Sequence, residues 1–289
     1  MGLVHRGILS EALFRLRSES TSLAPSQNNP HGIGVHSTQG IFWADQSDQS
    51  IFRANFDGTG QTPLVTGTLA PRALTIDEVN GRIYWSDNTG VGGANRIQSV
   101  KLDGTDQQTF VTFGNSSDFS GIDVDPSGGK LYWVDTNVVG IFRRNLDGSG
   151  STESIFSHIA GTGGPNAIGV DPVGGKMYWS ASGLTNTIEW ADLDGSNRQT
   201  LISGGLANTN GVAVDSLGGK VYWESNFGIE RANLDGTGRE TISGSANAFA
   251  IALGPASALS PIPEPTTFTL LGIGCVSLLG YRWRKRRVV

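Results

Sequence analysis

The groups in this 289-residue chain that could ligate a metal or act as acid, base or nucleophile are four histidines, one cysteine and 26 carboxylates. A catalytic metal needs histidines and carboxylates that converge from several elements. His5, His31, His36 and His158 follow no regular interval; His36 falls in a turn and His158 in a loop between units. Cys275 lies in an apolar run and reads as a small hydrophobe. No strained serine elbow and no phosphate-cradling glycine loop is present. The residues therefore predict no catalytic group, no cofactor and no metal.

The carboxylates are ordered differently, because they repeat. Asp-Gly recurs at Asp57-Gly58, Asp103-Gly104, Asp147-Gly148, Asp194-Gly195 and Asp235-Gly236. A second aspartate stands two residues after a tryptophan at Asp45, Asp87 and Asp135; Ala181 and Ser225 take its place in two later units. On a strand, residues two apart share a face, so this aspartate is predicted to be partly buried beside its Trp. A buried carboxylate needs hydrogen-bond donors, and Asp45, Asp87 and Asp135 read as structural links between units. The five Asp-Gly carboxylates would be spread around a ring and could not converge on one ion.

The elements that carry these groups repeat too. Phe42-Trp43, Tyr84-Trp85, Tyr132-Trp133, Tyr178-Trp179 and Tyr222-Trp223 recur with Trp spacings of 42, 48, 46 and 44 residues. Periods of this length with strand patterning indicate propeller blades. In one unit, 167–170 is a short apolar strand and 171–176 a Pro-Gly-Gly turn. The second strand holds Tyr178-Trp179, the third covers 187–193, Asp194-Gly195 is a hairpin turn, and 198–202 is the outer strand. Adjacent aromatic residues on a strand point to opposite faces, so each sheet must be covered on both. Five complete units are predicted, at 32–65, 73–111, 121–155, 166–202 and 210–242. Residues 247–253 match only the inner strand of a sixth.

These units resemble the YWTD (class B) repeats of the low-density-lipoprotein receptor family. Tyr84-Trp85-Ser86-Asp87, Tyr132-Trp133-Val134-Asp135, Phe42-Trp43-Ala44-Asp45 and the run Ile229 to Gly236 carry the likeness. It covers residues 32–253 and implies an all-β, six-bladed propeller of a kind that mostly binds other proteins.

The chain end has its own pattern. Pro263-Glu264-Pro265 precedes 16 uncharged, mostly apolar residues, Thr266 to Tyr281. Arg282, Arg284, Lys285, Arg286 and Arg287 follow. This resembles the PEP-CTERM sorting signal of Gram-negative bacteria, which implies export, recognition by an exosortase and cleavage near Pro-Glu-Pro. Physically, 266–281 is a short candidate membrane helix with Trp283 and the basic residues at its interface. A permanent tail anchor fits the same pattern. The expected organisation is thus an N-terminal segment (1–31), the propeller (32–255), a Pro-rich linker (256–265) and a membrane segment with basic tail (266–289).

Arg6, Glu11, Arg15 and Arg17 interrupt any apolar core that a signal peptide would need. Met1 is accordingly expected to be internal to a longer reading frame, which upstream sequence would test. Residues 7–23 are read as outer strands of the closing blade, aligned with 140–156; an amphipathic helix over 8–18 competes.

The net charge is −5, but residues 1–265 carry −10. So acidic a body argues against nucleic-acid binding. The expected function is that of an exported, noncatalytic binding or scaffold protein whose partner is an extracellular protein or polysaccharide, with the inner membrane as a temporary anchor. Gly-, Asn-, Ser- and Thr-rich loops at 46–50, 88–95, 136–139, 182–186, 112–120, 157–165 and 203–209 could bind it, or serve as solvated connectors. A lyase- or lactonase-like enzyme with a channel metal is the alternative, and an envelope module without a ligand is a third.

Overall fold

The computed structural model describes residues 11–13, 29–88, 95–114, 117–157, 164–183, 186–207, 209–244 and 250–254. The expected tail helix and sorting residues lie outside them, as do His5, His158 and Cys275. No helix among the described residues is long and apolar enough to cross a membrane.

A short strand, β1 (Glu11–Leu13), comes first. Five four-stranded antiparallel sheets follow, each built by hairpin connections in chain order. Blade 1 holds β2 (Pro30–His36), β3 (Gly40–Asp45), β4 (Ser50–Ala54) and β5 (Thr62–Thr66). Blade 2 holds β6 (Pro71–Asp77), β7 (Arg82–Asp87), β8 (Arg96–Lys101) and β9 (Gln108–Thr112). Blade 3 holds β10 (Phe119–Asp125), β11 (Lys130–Asp135), β12 (Gly140–Asn145) and β13 (Glu153–Phe156). Blade 4 holds β14 (Gly164–Asp171), β15 (Lys176–Ser182), β16 (Thr187–Asp192) and β17 (Gln199–Ser203). Blade 5 holds β18 (Val212–Asp215), β19 (Lys220–Ser225), β20 (Gly228–Asn233) and β21 (Glu240–Ser243).

The paired aromatics divide their work between the two faces of each sheet. Trp85 joins Phe42, Ile51 and Val65 of blade 1, whereas Tyr84 joins Phe119, Ile122 and Trp133 of blade 3. Tyr132 meets Trp179, and Tyr178 meets Trp223, in the same way. Each motif Trp thus packs back on the preceding blade and each first aromatic of the pair forward on the next. All five motif tryptophans are essentially inaccessible.

The ring has six positions but five complete blades, which corrects the six-bladed expectation. The sixth position is held by β22 (Ala250–Ala252), the inner strand that the sequence anticipates. Ala250 and Ala252 pack on the Ile33–Trp43 core of blade 1, and Ile251 packs on Tyr222 and Ile229 of blade 5. Strand β1 pairs with β22 in parallel, Glu11 opposite Ala250 and Leu13 opposite Ala252. The expected outer strands would be antiparallel members of a hairpin series, and a helix over 8–18 would span these residues. Glu11–Leu13 does form a strand of the closing sheet, as expected of 7–23, but it pairs in parallel and is not helical. A parallel pair cannot be joined by a tight turn; here all five blades are the connection, so the ladder joins residues 11–13 to 250–252 across the ring.

Close approach of the inner strands at the axis requires small residues. A Cβ at Gly32 would lie 2.2 Å from the carbonyl oxygen of Arg72, and one at Gly121 2.9 Å from the backbone of Ala167. Gly32, Ala73, Gly121, Ala167, Gly211 and Ala250 occupy this position around the ring.

Candidate functional site

A channel runs between the six inner strands. Ile33, Leu74, Ile122, Ile168, Val212 and Ile251, one from each, form an apolar collar that borders a cavity on either side. The cavity at the strand starts has a volume of about 140 Å³, and the one at the strand ends about 210 Å³.

Polar side chains surround the first cavity. His31, Arg72, Ser120, Asn166 and Asn210 line it, one from each blade, each directly before the small axial residue. In blades 1 to 4 the inner-strand register shifts at this point, between Pro30 and Ile33, Pro71 and Leu74, Phe119 and Gly121, and Pro165 and Ala167. A bulge re-aims the side chain it carries. It therefore presents to the channel mouth residues that the ordinary alternation of a strand would not mark.

The mouth is a hydrogen-bonded network. Arg72 Nη1 lies 2.8 Å from Asp118 Oδ1, which also accepts from Asn88 Nδ2 at 2.8 Å. Thr136 Oγ1 donates to Asp118 Oδ2 at 3.1 Å. Asn166 Nδ2 donates to the Thr209 carbonyl and to Asn210 Oδ1, and Asn210 Nδ2 to the buried Glu224 at 3.1 Å. Burial, assisted by the Arg72 guanidinium, lowers the pKa of His31 to about 4, so its imidazole is neutral at pH 7. One cation, amides and hydroxyls on a rigid rim suit the recognition of carboxamides, carboxylates or sugar hydroxyls.

The cavity beyond the collar holds Asp123. Its Oδ1 accepts from Thr75 Oγ1 at 2.9 Å and from Val124 N at 2.9 Å, and its Oδ2 accepts from Val170 N at 2.7 Å. One carboxylate thereby joins blades 2, 3 and 4. Burial raises its pKa to about 6, against the pull of these donors. Folding thus strengthens its hold on a proton, and protonation favours the folded ring. That contribution, roughly 3 kcal/mol, is complete below the ordinary aspartate range and lost as pH rises through about 6. Denaturant titrations at pH 4 to 8 should show this slope in the wild type and its loss in D123N.

The predicted motif aspartates lie elsewhere. Asp45, Asp87 and Asp135 are buried at the ends of β3, β7 and β11. Asp87 Oδ1 accepts from Leu69 N (2.9 Å) and Ala70 N (2.8 Å); Oδ2 accepts from Gln98 Nε2 (2.7 Å) and Arg96 Nη2 (3.1 Å). Asp135 Oδ1 accepts from Asp118, Asn137 and Val138 amides, and Asp45 Oδ1 from Ser47 and Asp48 amides. Each therefore fixes its own turn or the connector entering its own blade, where a link from sheet to sheet was expected. Ser225, the replacement in blade 5, accepts the Phe227 amide at 3.2 Å. Ala181, the replacement in blade 4, is buried.

His36 ends β2 and is buried, and so is not itself a turn residue. Its Nδ1 accepts from the Thr38 amide at 3.1 Å. Asp77, Asp125, Asp171 and Asp215 cap the same turn in the other blades. The Asp-Gly carboxylates are each occupied by a Thr or Ser two residues on, which holds them below the usual carboxylate range. Among the described residues no three His, Cys, Asp or Glu side chains come together as metal ligands would.

Residues 39–78 and 175–216 match the low-density lipoprotein receptor repeat class B, and residues 261–287 match the PEP-CTERM protein-sorting motif. Low-density lipoprotein receptor-related protein 5 of Mus musculus is 36% identical over 125 residues, 42% of this chain and 7% of the receptor. The chain thus spans only a small part of that relative. Among solved structures, a chain of a nidogen/laminin complex superposes with a TM-score of 0.62 at 23% identity, over 73% of this chain and 78% of that one. A gluconolactonase from Xanthomonas campestris superposes with a TM-score of 0.61 at 17% identity, over 78% and 84%. At these identities the likeness is one of fold. The described residues form an all-β propeller, two stretches of the chain match the low-density lipoprotein receptor repeat class B, and its C-terminal residues match the PEP-CTERM protein-sorting motif.

Proposed function

We propose that this propeller is a noncatalytic binding module, exported and sorted through its C-terminal motif, whose ligand seats on the channel mouth. The observation that carries this reading is the convergence there of His31, Arg72, Ser120, Asn166 and Asn210, one residue from each blade, above a closed apolar collar. The ligand is a polar segment of an extracellular protein or an envelope polysaccharide. The sorting partner is an exosortase, and the inner membrane holds the tail before processing. The lactonase-like reading draws on a fold neighbour. Against it, no Asp or Glu is among the described residues that line the mouth cavity beside His31.

The test is an array of envelope polysaccharides and envelope proteins probed with the full chain. R72A should weaken binding at least tenfold, because a cation that hydrogen-bonds the ligand is lost. Asp118 keeps Asn88 and Thr136 as partners, so the fold should survive. Unchanged binding by R72A would refute the reading. Hydrolysis or elimination of an array member would establish the enzyme instead.

A further inference from the structure

Five large apolar side chains are exposed among the described residues: Leu69, Val79, Val173, Leu217 and Phe227. Three of them share one structural position. Val79, Val173 and Leu217 are each the second residue after the aspartate that ends the inner strand, at the tip of the turn into the next strand. They are 77%, 75% and 92% exposed, against 46% for Leu69 and 55% for Phe227 on the opposite face. Thr38 and Ser127 hold this position in blades 1 and 3. Single exposed hydrophobes are ordinary. Three nearly bare aliphatic tips at one height on one face are a different matter, because they can meet a flat surface together.

The chain leaves the ring on this same face. Ala250 borders the mouth cavity, whereas Ala252 and Leu253 border the cavity beside Glu78, at the turn end of the channel. Residues 254–265 then lead to the apolar run 266–281. Fully extended, those 12 residues reach about 40 Å. Strands of six or seven residues make the disc about 20 Å thick, and three strand spacings put its rim about 15 Å beyond the inner strand. Passing to the other face would use nearly the whole tether. Leaving directly from the turn face uses little of it.

We propose that, in the unprocessed chain, the turn face lies against the bilayer, with Val79, Val173 and Leu217 dipping into its interface and the polar mouth directed away. This rests on the reading of 266–289 as a membrane segment. The surface contacted is zwitterionic: the Asp-Gly turns end the third strands on this same face, and their ionised carboxylates would repel anionic headgroups.

The experiment places a nitroxide on the full chain in phosphatidylcholine nanodiscs, in a Cys275→Ser background. One sample carries the label at Leu217→Cys, and the other at Asn137→Cys on the mouth face. Collisions with a water-soluble nickel chelate should be at least threefold rarer at position 217 than at 137. Adding V79D and V173D to the Leu217→Cys chain should abolish the difference while the chain stays in the disc. Equal accessibility at the two positions in disc-bound chain would overturn the proposal. So would protection at 217 that grows with protein concentration, because a second copy would then be the occupant. Chain that fails to copurify with the disc would instead defeat the membrane reading of the tail, and with it this proposal.

Discussion

Replacing Asp87 by alanine is expected to cost about 3–5 kcal/mol, the usual cost of stripping one partner from a buried ionic cluster. For a domain of this size that lowers the thermal midpoint by about 10 °C. Asp87 is fully buried at the end of β7 and accepts from two connector amides, an amide side chain and a guanidinium. Alanine leaves Leu69 N, Ala70 N and Gln98 Nε2 without an acceptor, and Arg96 without its counter-ion. The connector from blade 1 into blade 2 loses its anchor as well. D87N retains one oxygen and should recover part of the loss. Calorimetry of the two variants checks this, and a D87A midpoint within 2 °C of wild type, about the effect of half a kcal/mol, would refute the role.

W133A should cost about 4 kcal/mol, in the range for deleting a large buried aromatic. Trp133 fills the interface between blades 2 and 3, with its ring stacked on Phe142 at 6.1 Å and edge-on to Phe113 at 5.6 Å. Its indole nitrogen has no hydrogen-bond partner among the described residues, so W133F keeps most of what matters. Trp223 differs, because its Nε1 donates to Glu230 Oε2 at 3.1 Å. W223F should therefore cost about 2 kcal/mol more than W133F, the worth of a hydrogen bond to an acceptor that is itself ion-paired, here with Arg239. Urea titrations that rank the two phenylalanine variants equally would remove the hydrogen bond from the account.

The tryptophans were legible because burial on two faces demands two adjacent aromatics, and five blades repeat that demand. Trp43, Trp85, Trp133, Trp179 and Trp223 mark the sheets, and Tyr84, Tyr132, Tyr178 and Tyr222 the forward faces. The inner strand at 250–252 was legible because residues 247–253 match the inner strands of the other units. That 7–23 adds a strand to the closing blade was legible too, but the parallel pairing of Glu11–Leu13 was not, because a three-residue parallel ladder carries no turn signal and no alternation. The mouth was hidden for another reason. His31, Arg72, Ser120, Asn166 and Asn210 share a position but not a residue type, and four of them sit at strand bulges that break the two-residue period. Aligning the units on the small axial residue would have brought these five into one column. The aspartates were rightly expected to be buried, but their donors come from connectors, turns and the side chains of β8, whose sequences do not repeat.

Which face of the ring binds decides the function. Hydrogen exchange of the full chain, with and without soluble envelope polysaccharide or the envelope protein fraction, tests this directly. The prediction is slowed exchange at amides 69–70, 72–73, 117–121, 164, 166–168 and 209–212, which rim the channel mouth. Protection confined to the turns at 37–39, 78–81, 126–129, 172–175 and 216–219, or none with either fraction, would contradict it.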